Sequence, residues 1–264
     1  VFVNGQATTT TIINSIFENN SATSQPNSGS AEGGAVYINN GQANLVGSGQ
    51  GTNFIHGSYF KYNYTVGVQG NTYGGAVHIR GEASFQNNIV ASNYQLNTSS
   101  QHSQAQGGGL YIDAEPLFTN DGNLIVPRSL VLNNTIVFNR QFQPWNDQSN
   151  NECHYAAGLY AGTNDAEMII MNNIIYFNGD LDAPQNRCDV GMMLNASPSK
   201  FFINNTVKGF NDDTNDDVYQ ALNRDDSNLD IAPVFADTNS YALDQSSLLI
   251  GAGRNSYDGN YSSP

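Results

Sequence analysis

Basic residues are scarce in this chain. Lys and Arg total 9 of 264 residues against 23 Asp and Glu, a formal net charge of −14. Nucleic acid and anionic membrane surfaces both recruit a basic footprint, so the composition argues against either as a partner. Long apolar runs are also missing: none approaches the ~20 residues that cross a bilayer as a helix. No window holds apolar residues at helical spacing for more than about two turns, which argues against a helical fold. Tryptophan occurs once and cysteine twice. There is no initiator Met and no signal peptide, and the chain opens in the strand-like Val1-Phe2-Val3. That start is what a processed or trimmed product would show.

What the chain has in abundance is Gly (26) and Asn (38), scattered between short apolar runs. Such a mixture indicates many tight turns joining short strands. One stretch keeps returning. Gly33 to Ile38 reads GGAVYI, Gly74 to Ile79 reads GGAVHI and Gly107 to Ile112 reads GGGLYI, with weaker copies at Ala156 (AAGLYA) and Asp189 (DVGMML). Taking the third residue as marker gives Ala35, Ala76, Gly109, Gly158 and Gly191, at spacings of 41, 33, 49 and 33. A second signal runs behind the boxes, an Asn pair after an apolar run, at Asn87-Asn88, Asn133-Asn134, Asn172-Asn173 and Asn204-Asn205, with a further Asn at 93, 139 and 178. Asn14 heads an earlier partial copy. Two signals recurring in fixed order mean one structural unit used about six times.

Alternation within the box puts Val36 and Ile38 on one face, with Val77/Ile79, Leu110/Ile112, Leu159/Ala161 and Met192/Leu194 as their counterparts. That face is apolar in every copy and must point inward. Short strands stacking on their counterparts in the next copy describe a coil of parallel sheets with about 4.8 Å between coils. Asn suits the bends, because it tolerates the left-handed conformation and its amide can bond the Asn stacked above it. Asn88, Asn134, Asn173 and Asn205 are therefore expected in one column, capped by Asn14. A sandwich of antiparallel hairpins is the competing arrangement, but hairpins do not require equivalent residues to recur at 33 and 33.

The boxes, together with Phe17-Glu18-Asn19-Asn20 and Phe85-Gln86-Asn87-Asn88, resemble the GGA(I/L/V) and FxxN repeats of bacterial polymorphic outer-membrane proteins and related adhesins. The recurring Asn resembles the asparagine ladder of the pectate-lyase-like superfamily. Leu229 to Phe235 and Leu248 to Gly253 are similar to the closing segment of many secreted bacterial β-helix proteins. The resemblance implies a right-handed parallel β-helix solenoid of about six coils. It spans coils over residues 1–210 and, in the same domain, an acidic loop with an irregular closing segment over 211–264. Loop excursions at 20–32, 94–106, 140–155 and 179–188 are expected on one side. The fold hosts lyases, hydrolases, adhesins and fibres alike, so it does not choose among them.

Outward from the box strand, Tyr37, His78, Tyr111, Tyr160 and Met193 should stack as a nearly aromatic stripe beside small residues. Such a stripe suits packing beneath folded-back excursions, a protein interface, or sugar rings. The Asp cluster and Gly-His-Gly element of the fold's inverting hydrolases are missing. The lyases' calcium-binding Asp residues with a Lys or Arg base find no spaced counterpart among Arg80, Glu82, Asp113, Arg128, His56 and His78. No catalytic residue is assigned. Two acidic triplets, Asp213/Asn215/Asp217 and Asp226/Asn228/Asp230, read either as solvated loop or as ligands of a shared structural Ca²⁺. Cys153 and Cys188 each end an excursion entering a box on neighbouring coils, where a disulfide is expected, and with it an oxidising compartment. The function expected is a non-catalytic extracellular or cell-surface module, an adhesin or a fibre. Its partners would be other copies of itself, head-to-tail or lateral, or surface glycans. A polysaccharide lyase or hydrolase, or a glycan-binding domain, is the competing reading.

Overall fold

Three kinds of corner set the path of the chain. At the first, a left-handed residue is followed by an inward-pointing polar one: Asn14, Gly57, Asn87, Asn133, Asn172 and Asn204 have φ between 49 and 62°. Five residues on, the same corner is built by Asn19, Tyr62, Ser92, Phe138 and Phe177, with φ between 56 and 61°. The third belongs to the boxes, where Gly33, Gly74 and Gly107 take φ of 55, 59 and 68°. The computed structural model describes residues 1–4, 9–25, 29–39, 53–68, 70–98, 105–113, 117–118, 124–125, 128–142, 156–162, 167–180, 189–192, 200–207 and 227–254.

Between corners the chain runs in strands of two to five residues that pair in parallel with the strands one coil above and below. The result is a parallel β-helix of six coils. Sheet A comprises Phe2–Asn4, Val36–Asn39, Val77–Arg80, Leu110–Asp113, Leu159–Ala161 and Val190–Met192. Sheet B comprises Thr11–Ile13, Asn53–His56, Ala83–Gln86, Arg128–Leu132, Glu167–Met171 and Lys200–Ile203. Sheet C comprises Ile16–Glu18, Tyr59–Lys61, Ile89–Ala91, Thr135–Val137, Ile174–Tyr176 and Thr206–Val207. After the second corner comes sheet D, from Ser21–Thr23, Tyr64–Gly67, Tyr94–Asn97, Arg140–Phe142 and Gly179–Asp180. Sheet E, from Ala31–Glu32, Thr72–Tyr73 and Ala105–Gln106, precedes the boxes and packs on sheet D. A small antiparallel pair, Leu117–Phe118 with Leu124–Ile125, stands apart. No helix occurs among the described residues, and hence none that could cross a membrane.

The core consists of vertical columns. Val36, Val77, Leu110, Leu159 and Val190 stack on sheet A, and Ile12, Ile55, Phe85, Val131, Ile170 and Phe202 on sheet B. Phe17, Phe60, Val90, Ile136, Ile175 and Val207 stack on sheet C. These columns join in one apolar cluster, Phe17 being partly buried against it. Phe17 and Phe60 lie ring on ring at 5.0 Å.

Beside the core run two hydrogen-bonded files. In the first, the backbone N–H of Ser15 donates to Ser58 Oγ, and that of Ser58 to Asn88 Oδ1. Asn88, Asn134, Asn173 and Asn205 donate in turn to the Oδ1 of Asn134, Asn173, Asn205 and Asn228 at 2.8–2.9 Å. Each Nδ2 also bonds the next Oδ1 and a backbone carbonyl of the preceding coil, as Asn134 Nδ2 does to Asn173 Oδ1 at 2.9 Å and Phe85 O at 3.0 Å. A second file follows the same rule through Asn20, Asn63, Asn93, Asn139 and Asn178 and ends on the carboxylate of Asp189. Buried amides of this kind keep both donors and the acceptor occupied.

Asn14 does not cap the first file: it takes the left-handed corner position, and the ladder positions of the first two coils belong to Ser15 and Ser58. The last box also shifts. Leu159 pairs with Val190 and Tyr160 with Gly191, so the strand lies two residues earlier than the Gly marker implied. In chain order, connections of variable length follow sheet A, between Asn39 and Asn53 and between Asp113 and Arg128, as well as sheet D. Past Thr206, Leu229 adds one bridge of a further turn. Residues 230–254 then double back as an irregular strap over the outer face of sheet C, where Phe235 and Tyr241 pack on Ala91, Val137 and Ile174. Lys61 Nζ donates to Asn239 O at 3.1 Å, and Asn172 exchanges two hydrogen bonds with the backbone of Arg254.

Two substitutions test this architecture by urea denaturation. Asn134→Ala should lower stability by about 1–3 kcal/mol for each buried group it leaves unpaired, among them the Phe85 carbonyl. Gly75→Ala should also destabilise, by about 1–3 kcal/mol or more, because its new Cβ would meet the Gly108 carbonyl oxygen of the next coil at 2.0 Å.

Candidate functional site

The left-handed glycines turn each strand of sheet E into the sheet A strand that follows it and bring side chains of sheet E onto those of sheet A. Gly74 lets Tyr73 return onto His78, ring centroids 5.5 Å apart, and Gly33 does the same for Glu32 and Tyr37. A side chain at Gly74 would collide with the Val77 carbonyl at 2.1 Å. Sheet A and sheet E thereby gather one cluster: Glu32, Tyr37, Tyr73, His78, Arg80, Tyr111, Asp113 and Tyr160.

Register stacks Phe2, Tyr37, His78, Tyr111, Tyr160 and Gly191 along the outer face. Gly191 thus occupies the position expected for Met193, and Met193 itself lies outside the described residues. Ring centroids are 4.9 Å apart for Tyr37 and His78, 4.7 Å for His78 and Tyr111, and 5.3 Å for the parallel pair Tyr111 and Tyr160. The middle of the stripe is closed. His78 is 1% exposed, Tyr160 5% and Tyr111 8%, with Tyr73 packed against the cluster of Tyr111, Ala156 and Tyr160. Phe2, at 68%, and the half-buried Tyr37 remain accessible at the N-terminal end.

The polar groups of the cluster are largely spent on each other. Arg80 Nε stands 3.8 Å from Asp113 Oδ2, and Glu32 Oε2 stands 3.8 Å from His78 Nδ1. Burial, with a hydrogen bond to the Glu32 carboxylate, holds the Tyr37 phenol far above its ordinary range. Burial and the nearby Asp113 do the same for Tyr111, and burial raises Tyr73, whose oxygen accepts from Asn71 Nδ2 at 2.7 Å. Burial and Arg80 push the His78 imidazole well below its ordinary 6.5. On sheet B, Arg128 and Glu167 pair at 2.9 Å, while His56 Nε2 shares a hydrogen bond with Ser84 Oγ. Glu82 and His56 lie on other faces of the coil and do not converge on this cluster.

Of the two acidic triplets, Asn228 and Asp230 are among the described residues. Asn228 closes the first Asn file: its Oδ1 accepts from the N–H and Nδ2 of Asn205 and its Nδ2 donates to Phe202 O. An oxygen holding two hydrogen bonds at 3% exposure has no lone pair left for a cation, so Asn228 is not a calcium ligand. Asp230 Oδ1 accepts from the Tyr176 hydroxyl at 2.9 Å. Asp213, Asn215, Asp217 and Asp226 lie outside the described residues, as do Cys153 and Cys188. Among the described residues no group of three His, Cys, Asp or Glu is placed to hold a metal. Glu32 and Tyr73, which complete the cluster, carry no repeated sequence signal. Their place just before the boxes was the available clue. Comparison of the chain with protein-family models, curated proteins and solved structures finds no match.

The tyrosines give a pH dependence with a definite sign. Tyr111 stays a phenol in the fold, whereas the unfolded chain ionises near the ordinary 10.0, so the stability it supports is present below that pH and lost as pH rises above it. Tyr111→Phe should blunt the alkaline loss measured by thermal melts between about pH 9 and pH 11.

Proposed function

We propose that this chain is a non-catalytic β-helix module of an extracellular or cell-surface structure, an adhesin or fibre part, with the rod as rigid support. The observation that carries this reading is the closed middle of the stripe. A catalytic face needs a base or acid that reaches substrate, and here His78 is buried while Arg80 and Asp113 face one another. Incubation with neutral and uronic polysaccharides should release neither new reducing ends nor unsaturated products. Release that disappears in Asp113→Asn would replace this reading with an enzymatic one.

Self-association is supported by the first coil. There Phe2, Ile13 and Ile16 are exposed apolar side chains, which suit contact with a second copy. Extracellular placement goes with a Cys153–Cys188 bridge, which would stabilise by about 4 kcal/mol on the chain-entropy estimate. Thiol titration of the unfolded, unreduced chain should therefore find no free thiol, and two per chain would remove that support.

Glycan binding is the second reading, favoured by the accessible end of the stripe, where the Phe2 and Tyr37 rings stand 5.4 Å apart, tilted at 45° to each other. Aromatic faces beside a carboxylate such as Glu32 suit sugar rings and their hydroxyls. If this reading holds, Tyr37→Ala should weaken oligosaccharide binding by about tenfold or more in calorimetric titration, as the loss of an aromatic anchor does. An unchanged affinity would remove it.

A further inference from the structure

We propose that His78 is an acid-operated latch: neutral, it holds the Tyr73 ring of sheet E over the outer face of sheet A, and protonated, it releases that ring and uncovers Tyr111. The imidazole sits where the two sheets meet. Tyr37 of the coil below, Tyr111 of the coil above and Tyr73 from sheet E surround it, with centroids at 4.9, 4.7 and 5.5 Å. Neither ring nitrogen has a hydrogen-bond partner, although the side chain is almost wholly enclosed. A neutral ring tolerates that enclosure through its tilted and edge-on contacts with the three tyrosine rings. An imidazolium does not, because it carries two N–H donors and a full charge into a site that offers no hydrogen bond.

The charged groups around the ring pull in opposite directions. Arg80, two residues along the same strand, opposes a second positive charge, and the Asp113 carboxylate stands 3.8 Å from its Nε. Glu32 of sheet E attracts a cation, but at 3.8 Å and partly in solvent it makes no hydrogen bond to the ring. The Tyr37, Tyr73 and Tyr111 phenols stay neutral across this range, since each is held above its ordinary value. Burial and Arg80 together outweigh Glu32, so the closed form excludes the proton.

The sign follows from linkage. The open form binds a proton near the ordinary 6.5, and the closed form does so only at much lower pH. Opening is therefore favoured about tenfold for each pH unit below 6.5 until the closed form also protonates. What is released is small: Tyr73, placed by the turn at Gly74, is the side chain of sheet E that reaches both His78 and Tyr111. Acid thus opens the packed middle of the stripe and leaves the Asn files, on other sides of the coil, in place.

Hydrogen exchange of the full chain at about pH 7.5 and pH 5, corrected for intrinsic rates, tests this. In the native protein, residues 72–78 should lose about tenfold or more in protection at the lower pH, while the ladder residues Asn134 and Asn173 keep theirs. His78→Phe, which keeps the ring stacking and cannot titrate, should stay protected at both. Glu32→Gln should open with acid as the native protein does. Protection that is unchanged by acid in the native protein overturns the latch, as does equal acid opening in His78→Phe or its disappearance in Glu32→Gln. Should His78→Phe fail to fold, NMR of the native protein decides. The His78 ring resonances must titrate together with loss of the Tyr73–Tyr111 contact, and titration with that contact intact overturns the proposal.

Discussion

An amide that bonds its own copy one coil away is the interaction on which the rest of this molecule depends. Each ladder Asn accepts from the coil before and donates to the coil after, so its hydrogen bonds close only if successive coils arrive in the same register. The corner residue ahead of it must take the left-handed conformation, which most side chains avoid at a cost of roughly 1–2 kcal/mol. Here Asn, Gly, Ser, Tyr and Phe all adopt it. Two such files, five residues apart, bracket the strands of sheet C and fix its position. The apolar columns then follow, because residues in register across parallel strands stack like on like.

The same constraint explains why the connections vary freely. Successive rungs of the first file, from Asn88 to Asn228, are 46, 39, 32 and 23 residues apart in sequence. What must be conserved between rungs is the return of the chain to a fixed point, and the loop that accomplishes this can be of any length. Where coils come closest, at Gly34, Gly75 and Gly108, the geometry is less forgiving, since an added Cβ would overlap a backbone carbonyl of the next coil.

Much of this was legible in the sequence because it repeats. The fold class and the inward apolar pairs followed from periodicity, and Asn88, Asn134, Asn173 and Asn205 stand in one file. Asn93, Asn139 and Asn178 recur just as regularly, yet without a left-handed Asn before them they did not read as a second corner; Ser92, Phe138 and Phe177 supply that conformation instead. The slip at Gly191 has a similar origin. A shift of two residues preserves which face each side chain occupies, so alternation could not detect it, and a copy without its Gly-Gly pair offered no other anchor. The stripe was visible, but its burial was not. Glu32, Tyr73 and Gln106 occupy one register column without sharing a residue type, so no repeat announced the sheet that closes over His78.

The ending of the second file has an electrical meaning. Asn63, Asn93, Asn139 and Asn178 each accept through Oδ1 from the Asn of the coil before and donate through Nδ2 to the next oxygen of the file, so four side-chain dipoles lie head to tail. Aligned peptide dipoles leave a helix with a positive end that favours an anion, and a file of amides obeys the same electrostatics. At the positive end stands Asp189, 1% exposed, its Oδ1 accepting from both the N–H and the Nδ2 of Asn178 at 2.8 and 2.9 Å. A carboxylate there neutralises the summed dipole inside the protein, where an uncharged acceptor would have left it facing a medium of low polarisability. The rod is thereby a polarised object with an internal counter-charge at one pole.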